Sequence, residues 1–192
     1  YQVLSESFIR EFANKVDWDC ISKYQKLSED FIREFKYKVT WYYISEYQKL
    51  SEDFIREFQD NMAWVSVSSH ALSEDFIREF ADKVDWGYIS LRQTLSEDFI
   101  REFADKVDWN NIVFHQKLSE DIMKEFADKL NWEFVLSEQT LSESFIREFY
   151  DRFDDSKIYY YKRVSENFMR DHINYVDWEY ASENQKLSEE FI

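Results

Sequence analysis

The sequence predicts an all-α protein, an α-solenoid of about eight helical hairpins of 23 residues, each a short helix followed by a shorter one. Three observations carry the prediction. The nonapeptide "LSEDFIREF" recurs letter for letter at Leu27, Leu50, Leu72 and Leu95. One Gly and no Pro leave few residues for tight turns. Hydrophobic residues make up 44% of the chain, too many for disorder despite a net charge of −16.

The repeats start near Leu4, Leu27, Leu50, Leu72, Leu95, Leu118, Leu141 and Val164, with partial repeats at both ends, so residues 1–192 read as one array. The spacing is 23 residues except for 22 between Leu50 and Leu72. In the repeat Leu95–Lys117, Ser96 is placed to cap a helix, with Glu97 and Asp98 at the positive end of its dipole. Leu95 and Ile100 flank that cap as a hydrophobic staple. Leu95, Phe99, Ile100, Phe103 and Val107 form an apolar face at helical spacing, which predicts a first helix ending near Val107. Glu97–Arg101 and Glu102–Lys106 are spaced as i, i+4 ion pairs. The same grammar then restarts. Asp108 caps a second helix through Trp109 and Ile112 to about Lys117. Helices of roughly 9–12 residues are marginal alone, so neighbouring hairpins must share a core.

A Trp stands fourteen residues after most starts, at Trp18, Trp41, Trp64, Trp86, Trp109, Trp132 and Trp178. These read as wedges between repeats. One complete repeat carries Asp155 there instead. At the ends, Tyr1-Gln2 matches the close of a second helix and "LSEEFI" the opening of a first, as in a piece of a longer array.

Acidity is spread along the chain. The repeat Leu95–Lys117 holds five carboxylates against three bases, and eight such repeats account for the whole charge of −16. An even acidic coat favours solubility and argues against direct nucleic-acid binding, which needs basic stripes. No apolar run approaches membrane-span length. Cys20 is the only cysteine, so no intrachain disulfide forms, and an intracellular, cytoplasmic location is expected.

Catalytic chemistry finds no foothold in the pattern. His70, His115 and His172 are the only histidines, and the first two read as related positions two repeats apart. HExxH, CxxC and Gly-rich phosphate loops are absent from the sequence. The carboxylates read as solvated i, i+4 partners, so no enzyme, cofactor or metal site is expected.

"LSEDFIREFADKVDW" followed by "ISxxQK" resembles the short helical repeats, about 23 residues long, of uncharacterised proteins of giant DNA viruses that infect amoebae. The resemblance covers essentially the whole chain. It implies a viral repeat protein that acts in the host cytoplasm or is packaged in the particle, and it brings no catalytic residues. The repeat at Leu141 departs from the pattern at "DDSKIYYYKR", where a local change in packing is expected.

Counting the first residue of a repeat as zero, positions 15, 16, 19 and 20 vary between copies while 14, 17 and 21 stay nearly constant. The variable positions form one stripe on the second helix. Its candidate partner-binding residues are Tyr42, Tyr43, Tyr47, Tyr88, Leu91, Arg92, Phe114, His115, Phe134, Tyr160 and Tyr161. Drift on an unconstrained surface, or aromatics filling gaps between layers, would give the same variation. The expected function is a non-enzymatic scaffold for protein–protein interaction. A structural role with end-to-end self-association is the alternative, and an acidic mimic of DNA is the third reading.

Overall fold

The computed structural model describes residues 2–191. Tyr1 and Ile192, read from the sequence as parts of partial repeats, lie outside the described residues. Two compact units form, Tyr1–Gln93 and Thr94–Ile192, divided just ahead of Leu95. The first holds α1 (Glu6–Glu11), α2 (Trp18–Tyr24), α3 (Glu29–Glu34), α4 (Trp41–Tyr47), α5 (Glu52–Glu57), α6 (Trp64–Ser68), α7 (Glu74–Glu79) and α8 (Trp86–Arg92). The second holds α9 (Glu97–Glu102), α10 (Trp109–His115), α11 (Glu120–Glu125), α12 (Trp132–Glu138), α13 (Glu143–Glu148), α14 (Asp155–Tyr161), α15 (Glu166–Asp171) and α16 (Trp178–Asn184). Every described helix pair is one repeat, and no strand occurs among the described residues. Each unit is a helical-repeat solenoid in which the second helices stack in order, α2–α4–α6–α8 and α10–α12–α14–α16.

The caps fall where the sequence puts them. Ser28 Oγ accepts from the Phe31 N–H at 3.2 Å, and the corresponding serine does so in every first helix. Asp17, Asp85 and Asp108 cap second helices in the same way, whereas Thr40 and Ala63 make no side-chain cap bond. The first helices are shorter than expected, and most second helices, at seven residues, are the longer of the pair, which reverses the expected order. The first helices run for six residues, and α9 stops at Glu102 instead of Val107 because Phe103 adopts φ −114°, ψ 29°. The Phe103 carbonyl then receives both Lys106 N–H (2.8 Å) and Val107 N–H (3.1 Å), so a closed turn replaces the last helical turn.

The core of each hairpin is the Phe-Ile pair of the first helix, fully or almost fully buried at Phe31-Ile32, Phe54-Ile55, Phe76-Ile77, Phe99-Ile100 and Phe145-Ile146. Between hairpins, Trp is the principal apolar link. The Trp18 ring lies 5.0 Å from Phe35 and 6.3 Å from Phe31 of the following repeat, while its Nε1–H donates to Ala13 O at 3.0 Å within its own. Trp41, Trp64 and Trp132 repeat both contacts. Such aromatic pairs add about 0.5–1.5 kcal/mol beyond the area they bury.

The carboxylates do more than coat the surface. Within each unit the Glu opening a first helix accepts the N–H of the next repeat's capping serine, as in Ser28 to Glu6 (2.6 Å), Ser51 to Glu29 (2.6 Å) and Ser142 to Glu120 (2.6 Å). The Arg of one first helix bonds the last Glu of the next, Arg10 to Glu34, Arg33 to Glu57 and Arg101 to Glu125, each at 2.7 Å. The same guanidinium covers the next Phe, with Arg33 Cζ 5.0 Å from the Phe54 ring. Lys38, Lys83 and Lys129 reach back to Asn14, Asp60 and Asp105 of the preceding repeat.

Two further rungs lie inside. Gln48 Nε2–H donates to Ser22 O (2.8 Å) and Gln25 O (2.9 Å) of the previous repeat, and its Oε1 accepts Leu27 N–H (3.1 Å). Buried Ser22, Ser45 and Ser68 accept the N–H of Thr40, Ala63 and Asp85. In the repeats starting at Leu95, Leu118 and Leu141 the same place is apolar or aromatic, with buried Val113, Leu136 and Tyr159, and in the repeat at Val164 it returns to serine at Ser182, which is exposed.

His70 departs from its expected equivalence to His115. The repeat at Leu50 is one residue shorter, so His70 takes the place of the recurrent Gln, its Nε2 2.8 Å from Ser45 O. His115 ends α10 on the surface.

In the repeat at Leu141 packing changes, as "DDSKIYYYKR" suggested. Asp155 replaces Trp, and the Tyr150 ring does the stacking instead, 4.1 Å from His172 and 6.0 Å from Phe168. A 3-10 turn over Tyr150–Arg152 brings it there. Lys162 stands in the Gln position and donates to Gln139 O at 2.6 Å. Among the described residues no helix is long and apolar enough to cross a membrane.

Candidate functional site

The framework accounts for positions 0 to 14 of the repeat and for 17, 18 and 21. What it leaves is the outer face of the second helices, where the sequence placed its variable stripe. Helical spacing puts positions 15, 16, 19 and 20 on that one face. Tyr42 (58% exposed), Tyr47 (52%), Tyr160 (53%) and Phe114 (49%) are surface aromatics, while the framework Phe31, Phe54 and Phe145 are fully buried. Tyr88, Arg92, His115 and Tyr161 are also exposed, whereas Tyr43, Leu91 and Phe134 are half-buried.

The stripe is not an even row. In the first unit Tyr42 meets Tyr43 edge-on at 5.5 Å, and Tyr43 lies 6.1 Å from Tyr47 on α4. In the second unit Phe114 of α10 meets His115 at 4.9 Å and Phe134 of α12 at 5.9 Å. Tyr160 of α14 meets Tyr161 at 4.7 Å and Tyr180 of α16 at 5.3 Å. Tyr88, Leu91 and Arg92 on α8 join none of these three clusters.

Three residues complete the clusters beyond the anchors chosen from sequence. Tyr24 and Tyr180 add aromatic walls, and Lys23 of α2 sits among rings. Its Nζ lies 5.0 Å from the Tyr24 centroid, 5.4 Å from Tyr43 and 5.6 Å from Tyr47. The Tyr24 hydroxyl beside it, with Tyr47 and Tyr43 adding, holds the Lys23 ammonium above the usual lysine range. All three occupy variable positions. The signal available in the sequence was that variability together with the i, i+23 relation, which sets Lys23 one repeat before Glu46 and directly beside Tyr43 and Tyr47.

Two clefts open on this face. One, of about 330 Å³, is lined by Lys23, Tyr24, Lys26, Tyr47 and Lys49 with the intervening loop residues. The other, of about 260 Å³, lies among Ser156, Lys157, Tyr160, Tyr161 and Tyr180. A wider hollow of about 530 Å³, edged by Asp154, Asp155 and Asp177, opens at the turns between first and second helices, away from the aromatic face. Two phenol hydroxyls of the same unit are buried. No side chain meets the Tyr150 or Tyr159 hydroxyl in hydrogen-bond geometry, and burial first, then nearby Asp155, disfavours ionisation of both. Burial is the larger cause and pushes Tyr159 up to about 12.

No group of three His, Cys, Asp or Glu side chains among the described residues is placed to hold a metal ion. Cys20 is exposed and unbridged. The face of the second helices thus presents aromatic area, phenol hydroxyls and a few cations. Comparison with known protein families, curated proteins and solved structures finds no match to this chain.

Proposed function

We propose that this protein is a non-enzymatic repeat scaffold that captures protein partners through the exposed aromatic clusters of its second helices. One observation carries the reading. Tyr42, Tyr47, Phe114, Tyr160 and Tyr161 keep 42–58% of their surface in water although nothing in the repeat framework requires them there. Aromatic anchors of this kind dominate the energetics of protein interfaces. Direct nucleic-acid and membrane partners are not part of the proposal. On the resemblance to giant-virus repeats alone, the scaffold would work in the cytoplasm of a host cell or inside the particle.

The test compares partner capture by the native chain with a variant carrying alanine at Tyr43, Tyr47, Phe114, His115, Phe134 and Tyr160. Lost capture with unchanged far-UV circular dichroism supports the scaffold. Capture retained by the variant sinks the stripe.

A second reading, self-assembly, draws on a different observation. One hairpin face recurs from repeat to repeat, with Phe31, Phe54 and Phe76 fully buried beneath Trp18, Trp41 and Trp64. Such a face fits another hairpin of the same kind. Sedimentation that stays monomeric from micromolar to millimolar concentration would remove this reading. The DNA-mimic reading is weakened because the Glu residues of the first helices are tied to serine N–H groups and arginines.

A further inference from the structure

We propose that the cleft between the ends of α2 and α4 binds a short acidic peptide, with carboxylates against Lys23, Lys26 and Lys49 and an apolar side chain between Tyr24 and Tyr47. The proposal deepens the stripe reading and rests on it, since Tyr47 is a stripe residue and Tyr24 and Lys23 sit at stripe positions.

The charge pattern is the first argument. In a chain of net charge −16 with 24 Lys and Arg, about half of the cations are ion-paired within the repeat framework. Lys83, Lys124, Lys129 and Lys157 each pair with a carboxylate, as do the first-helix arginines Arg10, Arg33, Arg56 and Arg101. Lys23, Lys26 and Lys49 form no ion pair among the described residues, yet all three line one cleft of about 330 Å³. Two come from successive loops and one from α2, so the repeat itself brings them together. Glu46, one repeat on from Lys23, makes no ion pair with it.

The walls are the second argument. Tyr24 and Tyr47 are 40% and 52% exposed and face the same space, offering ring faces and hydroxyls beside the ammonium groups. A ligand with both carboxylates and an apolar side chain uses both features.

The range of the forces selects a short ligand. At physiological salt the screening length is about 8 Å, so three local cations act on a ligand in the cleft while the distant acidic coat is largely screened. A long polyanion would run out of the cleft onto that coat. An acidic peptide is therefore favoured over a nucleic acid.

The experiment measures fluorescence anisotropy of a dye-labelled peptide alternating Glu and Leu, titrated with the full 192-residue chain. A Lys–Leu peptide and a labelled oligothymidylate serve as comparisons. The Glu–Leu peptide is expected to bind, the Lys–Leu peptide to bind more weakly, and the oligonucleotide not to compete. Joint substitution Lys23→Gln, Lys26→Gln and Lys49→Gln should weaken Glu–Leu binding at least tenfold. The control triple Lys15→Gln, Lys36→Gln and Lys117→Gln should leave it unchanged. Equal loss in both triples, or tighter binding of the oligonucleotide, overturns the proposal. If the Glu–Leu peptide fails to bind while the alanine stripe variant still loses its partner, the acidic chemistry falls and the stripe survives. If the peptide fails and capture persists, both fall.

Discussion

Single substitutions between repeats show what each position is for. The Gln at position 21 is a three-way connector, because an amide both donates and accepts. In Gln139 the amide donates to Gln116 O (2.8 Å) and accepts Leu118 N–H (3.0 Å). Lys162 keeps the donation but has no acceptor, and burial lowers its pKa despite nearby Glu138. A lysine with a depressed pKa is penalised in the folded state while charged, as it is at neutral pH. Lys162→Gln should therefore stabilise the protein by about 1 kcal/mol, the worth of one added hydrogen bond. A higher urea midpoint checks this, and a lower one would mean the ammonium does something the amide cannot. Tyr159 makes the opposite case. Its hydroxyl is buried without a partner, so Tyr159→Phe removes a desolvated polar group and should leave thermal stability unchanged or raise it by up to about 1 kcal/mol. The same change should remove part of the alkaline sensitivity. A phenol held near 12 contributes stability that is complete below about pH 10 and is lost as the pH rises through 12.

Helices were legible where the signal is local, and misjudged where the partner is one repeat away. Ser96 and Asp108 announce their caps within three residues, and both cap as expected. The end of α9 was not legible. Val107 continues the apolar spacing, but Phe103 leaves helical geometry so that Val107 can close a turn on the Phe103 carbonyl. The Glu residues were read as i, i+4 partners of Arg, and Glu97 does lie 3.4 Å from Arg101. Their stronger bonds run to the next repeat, across 21 to 24 residues, where helical spacing rules have no reach. The two kinds of carboxylate should differ in value. Glu120 accepts both the N–H and the hydroxyl of Ser142, so Glu120→Ala leaves capping groups unpaired and should cost about 1 kcal/mol. Glu125 makes an exposed ion pair with Arg101, and Glu125→Ala should cost less than about 0.5 kcal/mol. Paired urea titrations distinguish them, and equal losses would show that the serine clamp is no more than another surface contact. For the stripe, Tyr42, Tyr47 and Phe114 lie on the surface where helical spacing puts them, whereas Tyr43, Leu91 and Phe134 are half-buried. Helical spacing could not reveal the lysine cleft, because Lys26 and Lys49 belong to loops and meet only when two repeats stack.

For the molecule as a whole, a net charge of −16 and a framework held by carboxylates pull stability in opposite directions as the pH falls. Like charges repel in the compact state, and that repulsion eases as the net charge shrinks from −16 at pH 7 towards zero near the pI of 4.6. Several framework carboxylates act the other way. Burial pushes Glu97 and Glu143 up, but hydrogen bonds from Ser119 and Ser165, with Arg101 and Arg147, outweigh it and hold both below the usual range. Ser188 does the same for Glu166, and Lys129 for Asp105. A carboxyl whose pKa is lowered on folding contributes stability that is present above its unfolded value, about 4 to 4.5, and is lost as the pH falls through the folded value. The repulsion therefore eases first as the pH falls, and the carboxyl contribution is lost only below about pH 4.5. Urea unfolding followed by circular dichroism at micromolar protein should give a midpoint at pH 5 no lower than at pH 7, and a clear fall by pH 3.5. Adding 0.5 M salt should shrink the difference between pH 7 and pH 5, since screening already removes the repulsion. A midpoint that kept rising below pH 4 would mean that repulsion outweighs the serine clamps even there.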